Sequence, residues 1–233
     1  MPLFINSCIF NIQSCALCGA RHDVSFHGLC EACHADLPWL THACSRCALP
    51  LPLHQPDLCA HCIKDPPPFN RVLSAFIYAF PVSALIPAIK YQKQPAHLGW
   101  LADVLADFIR QHHQGPWPDA LIPVPMHPFS QIARGYNQAE LLADRLSQRL
   151  QLPLLHALKK NRRTARQMSL SLEERRLNLR GAFSLHRKPP EYVALVDDVM
   201  TTGTTVSGLS RLLLEQGCKR VDVWVLARTP EHR

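Results

Sequence analysis

The chain has 233 residues, with 25 Lys and Arg against 18 Asp and Glu, a formal charge of +7, 10 Cys, 20 Pro and 47% hydrophobic residues. That length suits one ordinary domain with a small appendage, and no window approaches the ~18–20 uninterrupted apolar residues of a membrane span. The start, MPLFINSCIFNIQSC, lacks the basic region of a signal peptide, so the expectation is a soluble cytoplasmic protein whose thiols stay reduced and bind metal rather than pair as disulfides.

Apart from Cys8 and Cys218, every cysteine belongs to a C-x2-C pair: Cys15 and Cys18, Cys30 and Cys33, Cys44 and Cys47, Cys59 and Cys62. Eleven residues separate Cys18 from Cys30, and eleven again separate Cys47 from Cys59, so the segment is a duplicated unit. Two intervening residues let a tight turn aim both sulfurs at one ion, and two such turns close a tetrahedral site with no position left for substrate. Two structural Zn²⁺ sites are expected. An iron–sulfur cluster uses the same ligands, and spacing leaves open whether consecutive or alternate pairs combine. With few large apolar residues, this segment depends on metal for its folding free energy. Residues 1–68 carry net −2, so the basic charge lies in the remainder.

The domain reading is a cysteine-rich double zinc ribbon over 1–65, a stiff Pro-rich linker over 66–70 with Pro66, Pro67 and Pro68, and an α/β domain over 71–233. In that domain the pattern predicts a strand at 72–79, a helix at 97–113, a strand at 119–124 and a helix at 136–150. A strand at 192–197, a helix at 205–216 ending at Gly217 and a last strand through Val221, Val223 and Val225 follow. Such alternation implies an open parallel sheet with helices on both faces.

Ligands of open parallel sheets bind beyond the C-terminal strand ends. There the sequence reads VALVDDVMTTGTT, 193–205. Thr201, Thr202, Thr204 and Thr205 offer hydroxyls, and Gly203 lets backbone N–H groups curve around an anion at the positive end of the next helix. Asp197 and Asp198 would repel that anion, but one step away they can accept hydrogen bonds from vicinal hydroxyls. Phosphate at one end and diol at the other measure out a ribose 5-phosphate.

This stretch resembles the phosphoribosyl pyrophosphate (PRPP) signature of type I phosphoribosyltransferases. Together with the four C-x2-C pairs, the PPP connector, IKYQKQ (89–94), PVP (123–125), RGYNQAELLA (134–143) and RTARQMSLSLEERRLNLRGAF (163–183), the chain resembles the ComF/GntX family of competence and DNA-utilisation proteins. The resemblance implies a type I phosphoribosyltransferase fold, with Thr201 to Thr205 on the 5-phosphate and Asp197 and Asp198 on the ribose hydroxyls, directly or through Mg²⁺. It sets Val124, Met126, His127 and Arg134 at the pyrophosphate loop. Relatives commonly carry Lys or Arg where MHPFSQIA stands here, so only His127 and Arg134 are at hand there.

Residues 159–180 carry net +6 and include Arg162, Arg163 and Arg166. This run reads as a hood closing on pyrophosphate, as a solvated helix capped by Ser171 and Glu174, or as a track for a phosphodiester backbone. RGYNQ reads as a site element or as a turn packing a tyrosine. The resemblance points to a PRPP-binding protein of the phosphoribosyltransferase type, with an unknown acceptor, linked to competence and DNA uptake. A non-enzymatic uptake factor that binds single-stranded DNA, or a competence helicase or translocase through its zinc ribbon, is the alternative.

Overall fold

The computed structural model describes residues 13–22, 26–92, 94–162 and 181–230. The chain forms two compact units, 1–37 and 38–233. In the first, β1 (Gln13–Ser14) pairs antiparallel with β2 (Arg21–His22), and a short helix, α1 (Glu31–Ala35), follows. The turn between the strands contains Gly19 at φ +70°, where a side chain would be strained. Helix α1 buries none of its residues, and the buried apolar side chains of this unit are few, Leu29 and Leu37 beside the cysteines.

The second unit is built on a parallel sheet. Its strands are β3 (Arg71–Ile77), β4 (Ala120–Pro123), β7 (Tyr192–Met200) and β8 (Arg220–Arg228), in the order β3-β8-β7-β4. Between β4 and β7 a small antiparallel pair, β5 (Leu158–Lys160) and β6 (Phe183–Leu185), projects from the sheet's sequence path. The central strands read as continuous apolar runs because both faces are covered. One face, with Val193, Leu195, Val221, Val223 and Val225, packs against Val206, Leu209 and Leu213 of α7 (Thr204–Glu215). Side chains alternate along a strand, so the intervening residues face α4 (Ala96–His112) and α6 (Gln138–Leu150), which pack on each other and on the sheet. Helices α3 (Val82–Tyr91) and α5 (Pro128–Arg134) complete the unit.

Residues 38–70 belong to this same unit, including α2 (Ala60–Lys64). Strand β3 is the edge of the sheet, and its outer side is occupied. Its Ile77 N–H donates to Pro38 O at 2.8 Å and its Val72 N–H to Arg46 O at 2.9 Å, while Leu40 N–H donates to Ala75 O at 2.9 Å. A covered edge cannot recruit a foreign strand.

The predicted elements are all found, with shifted ends, and α3, α5 and the β5/β6 pair are additions. The one shift that matters is at β7, which runs three residues past the expected end, so Asp198 joins Asp197 as a strand residue. At the opposite end of the sheet, fully buried Asp222 accepts from Arg71 at 3.0 Å, Arg220 at 3.2 Å and Tyr192 Oη at 2.8 Å.

Candidate functional site

The twin carboxylates sit side by side at the end of β7, close enough for each to feel the other and for both to feel Lys90. Asp198 points toward α3, where Lys90 Nζ lies 2.6 Å from its Oδ2. The next backbone amide, of Val199, donates to its Oδ1 at 3.0 Å. Burial works against the Lys90 charge, but the carboxylates of Asp198 and then Asp197 outweigh it and hold its pKa above the ordinary lysine value. Asp197 takes the amide of Asp198 at 2.9 Å. Burial, reinforced by the charge of Asp198, pushes its pKa up to about 7.

Beyond Met200 the chain turns through Thr201 and Thr202, both exposed, into α7. Gly203 caps that helix at φ +75°, and a Cβ there would lie 2.5 Å from Met200 Cε. The hydroxyls of Thr202 and Thr204 are 2.8 Å apart. They border an open cleft of about 580 Å³ that is also lined by Ser207, Arg211, His61 and the Pro66–Pro68 segment. The turn is therefore accessible to an anion, at the end of the helix that favours one.

A second cleft, about 600 Å³, lies past the end of β4 between the 123–128 turn and β5, with Asn137, Glu140, His156 and Lys160 in its wall. Asn137 shapes it twice over: its Nδ2 donates to Val124 O at 3.1 Å, and its Oδ1 accepts from Ala139 N–H at 3.1 Å to cap α6. Gly135, at φ +94°, ends α5, and Tyr136 Oη donates to Ile89 O. RGYNQ is thus a turn that fixes both the 124 carbonyl and the helix bearing Lys90. Lys160 packs over the Phe183 ring at 5.5 Å. Burial lowers its pKa, partly offset by the charge of Asp197.

The cysteines gather as Cys15, Cys18, Cys30 and Cys33, and as Cys44, Cys47, Cys59 and Cys62, the sulfurs of each group within 4.8 Å of one another. Pairing is consecutive. The 3.7 Å between Cys47 Sγ and Cys59 Sγ is the edge of a tetrahedron with metal–sulfur bonds of about 2.3 Å, the value for zinc. The duplication extends to geometry, since Cys30 N–H meets Cys15 Sγ and Cys59 N–H meets Cys44 Sγ, both at 3.4 Å. Those amides poise one thiol in each group. Burial resists ionisation of Cys15, but N–H groups of Cys18, Cys30 and Leu17 outweigh it and bring its pKa to about 6. Burial likewise resists ionisation of Cys44, and N–H groups of Cys59, Cys47 and Arg46 bring it to about 7. The donor set fits zinc, with four sulfurs per site and no open position.

Residues 133–233 match the phosphoribosyl transferase domain, and residues 8–64 match the double zinc ribbon domain. Competence protein F of Haemophilus influenzae is 36% identical over 94% of this chain and 98% of that protein. The chain belongs to this family. DNA utilization protein YhgH of Escherichia coli O157:H7, another relative, is 34% identical over 92% of this chain and 96% of its own length. A purine phosphoribosyltransferase from Pyrococcus horikoshii aligns over 59% of this chain at 19% identity and a TM-score of 0.35. No helix of the described residues is long and apolar enough to cross a membrane.

Thr201 and Thr202 form the turn after β7, and Thr204 and Thr205 open α7 beyond its cap at Gly203. Val124 is buried, while Met126 lines the second cleft. His127 is occupied as the cap of α5, its Nδ1 accepting from Phe129 N–H at 3.3 Å. Arg134 donates to Gln138 Oε1 at 2.6 Å and stacks over Tyr91. Arg162 is exposed just after β5. Arg163, Arg166, the Ser171–Glu174 capping box and Cys8 lie outside the described residues. Cys218 is buried and its thiol donates to Arg220 O at 3.1 Å, a packing role. The sequence reading missed Lys90, Lys160 and Arg228. Lys90 sits in IKYQKQ and Lys160 in the basic run, yet neither motif says which carboxylate it will face.

Proposed function

We propose that the chain binds PRPP with Mg²⁺ across the C-terminal ends of β7 and β4, as a cytoplasmic protein that handles imported DNA. Thr201, Thr202, Thr204 and Thr205, with the amides around Gly203, hold the 5-phosphate. Asp197 and Asp198 accept from the ribose hydroxyls. Asp197 and Asp198 would hold Mg²⁺ together with PRPP, and the ion would supply positive charge to the pyrophosphate. The observation that carries this reading is the succession, within residues 197–205, of two carboxylates at a strand end and a hydroxyl-lined left-handed turn opening α7.

A diol arriving at Asp198 competes with Lys90 for the carboxylate. The displaced ammonium then supplies the fixed cation that the 124–127 turn lacks, and Arg134 stands near it. Transfer consists of breaking the bond from the anomeric carbon to pyrophosphate while an acceptor bonds to that carbon and gives up its proton. The protein's part is positioning and neutralising the leaving group. Val124, Met126 and His127 border the space for pyrophosphate, and the positive charge of the 159–180 run, with Arg162, Arg163 and Arg166, favours that anion. The acceptor enters the cleft lined by Asn137, Glu140 and His156.

Isothermal titration with PRPP and Mg²⁺ tests the reading. Saturable heat is expected from the native chain and its loss from the Asp197→Asn/Asp198→Asn double variant. No heat, or equal heat from both, overturns it. Release of pyrophosphate in a screen of nucleobases and amines tests transfer itself. The names of the relatives, a competence protein and a DNA utilization protein, bear on DNA handling, and the second reading is a non-enzymatic uptake factor that binds single-stranded DNA or a translocase. That reading requires DNA affinity that falls steeply with salt and weakens when Arg162, Arg163 and Arg166 are neutralised.

A further inference from the structure

The second four-cysteine site and the 201–205 turn lie in one structural unit and share one arginine. Arg228 closes β8 and is 7% exposed. Its Nε donates to Cys47 O at 3.1 Å, and its Nη1 donates to Met200 O at 3.3 Å, to Thr201 O and to Thr229 O at 2.8 Å. One planar cation thus spans a metal-ligand residue, the entry to the phosphate turn and the end of the central sheet. Guanidinium suits this because its donors diverge in a rigid fork.

The surroundings make the link stiff. All four cysteines of the site are buried, and they belong to the same apolar cluster as Met200 and Val206, the residues on either side of the 201–205 turn. The knuckle itself is a demanding conformation. Ala48, one residue after Cys47, sits at φ +53°, a region that alanine rarely adopts, and its N–H donates to Cys44 O at 2.8 Å. Thiolate coordination holds such a turn closed. Arg46, between the two ligands of the knuckle, is tied to the Pro67 carbonyl at 3.1 Å and accepts from β3. A knuckle that relaxes moves the Cys47 carbonyl, and the buried guanidinium must then seek another partner, which costs free energy.

We propose that Arg228 couples metal occupancy of the Cys44/Cys47/Cys59/Cys62 site to sugar-phosphate binding at Thr201–Thr205, so that this half of the ribbon is a positioning element for the phosphate turn. The inference rests on the PRPP reading above. Coupling between two binding events is reciprocal, so PRPP must also retain zinc at this site and leave the Cys15/Cys18/Cys30/Cys33 site alone.

The test follows transfer of zinc from the full native chain to a chromophoric chelator, with and without PRPP and Mg²⁺, alongside PRPP titration. Two equivalents of zinc are expected, one of them released about tenfold more slowly when PRPP is bound, the factor expected for one charged hydrogen bond. Arg228→Lys, which keeps the charge and loses the fork, is expected to retain both zinc ions, to bind PRPP about tenfold more weakly, and to lose the protection by PRPP. If the native chain binds PRPP and both equivalents leave at unchanged rates, the coupling is overturned and the PRPP site stands. If the native chain binds no PRPP, the site reading fails and takes the coupling with it. Should Arg228→Lys not fold, the native release rates alone decide.

Discussion

Replacing Lys90 with methionine removes the cation from a carboxylate that is almost buried. Asp198 is 6% exposed and its Oδ2 lies 2.6 Å from Lys90 Nζ. At an effective dielectric of about 20, two unit charges at that distance attract by about 6 kcal/mol, and the desolvation of both groups opposes most of it. Breaking a buried pair from one side costs about 3–5 kcal/mol. The Lys90 side chain keeps 24% of its exposure, which favours the lower end, about 3 kcal/mol. Urea unfolding with saturating zinc, followed by circular dichroism, measures it. Adding Asp198→Asn to Lys90→Met is expected to restore at least half of the loss. A loss below about 0.5 kcal/mol, or no rescue by the second change, refutes the account of this pair.

Asp197 is protonated below about pH 7 in the free protein, so PRPP affinity is expected to rise with pH through that region and to level off above it. Coinciding pH profiles for the native chain and Asp197→Asn would remove this carboxylate from the site, since PRPP's own phosphates titrate equally in both. Gly203→Ala places a side chain at φ +75° and forces the Met200 methyl aside. The backbone penalty is about 1–2 kcal/mol, and titration is expected to show a larger loss in PRPP affinity than urea unfolding shows in stability. Asp222→Ala leaves Arg71 and Arg220 without their shared carboxylate at the far end of the sheet. Stability is expected to fall by about 3–5 kcal/mol with PRPP affinity unchanged, and a change in affinity would contradict the separation of the two ends.

Local pattern carried the metal sites and the phosphate turn. A C-x2-C pair is a self-contained ligand clamp, and DDVMTTGTT compresses strand end, turn and helix start into one contiguous stretch. Contacts across the chain could not be read in this way. His127 looked available for pyrophosphate, yet it caps α5, and a capping role depends on where a helix begins. Lys90 and Asp198 are 108 positions apart in sequence and 2.6 Å apart in the fold.

By itself the sequence determined that eight thiols form two sulfur sites, that an open parallel sheet follows, and that one strand ends in twin carboxylates before a phosphate-shaped turn. Spacing alone sufficed, because each of these depends on neighbours along the chain. Only the tertiary structure decided that the cysteine pairs combine consecutively, that Lys90 serves both Asp197 and Asp198, and that Arg228 reaches from the last strand to both Cys47 and the turn before α7. Those outcomes depend on which buried charges and hydrogen-bonding groups the packing brings together, and that is a property of the whole core rather than of any segment.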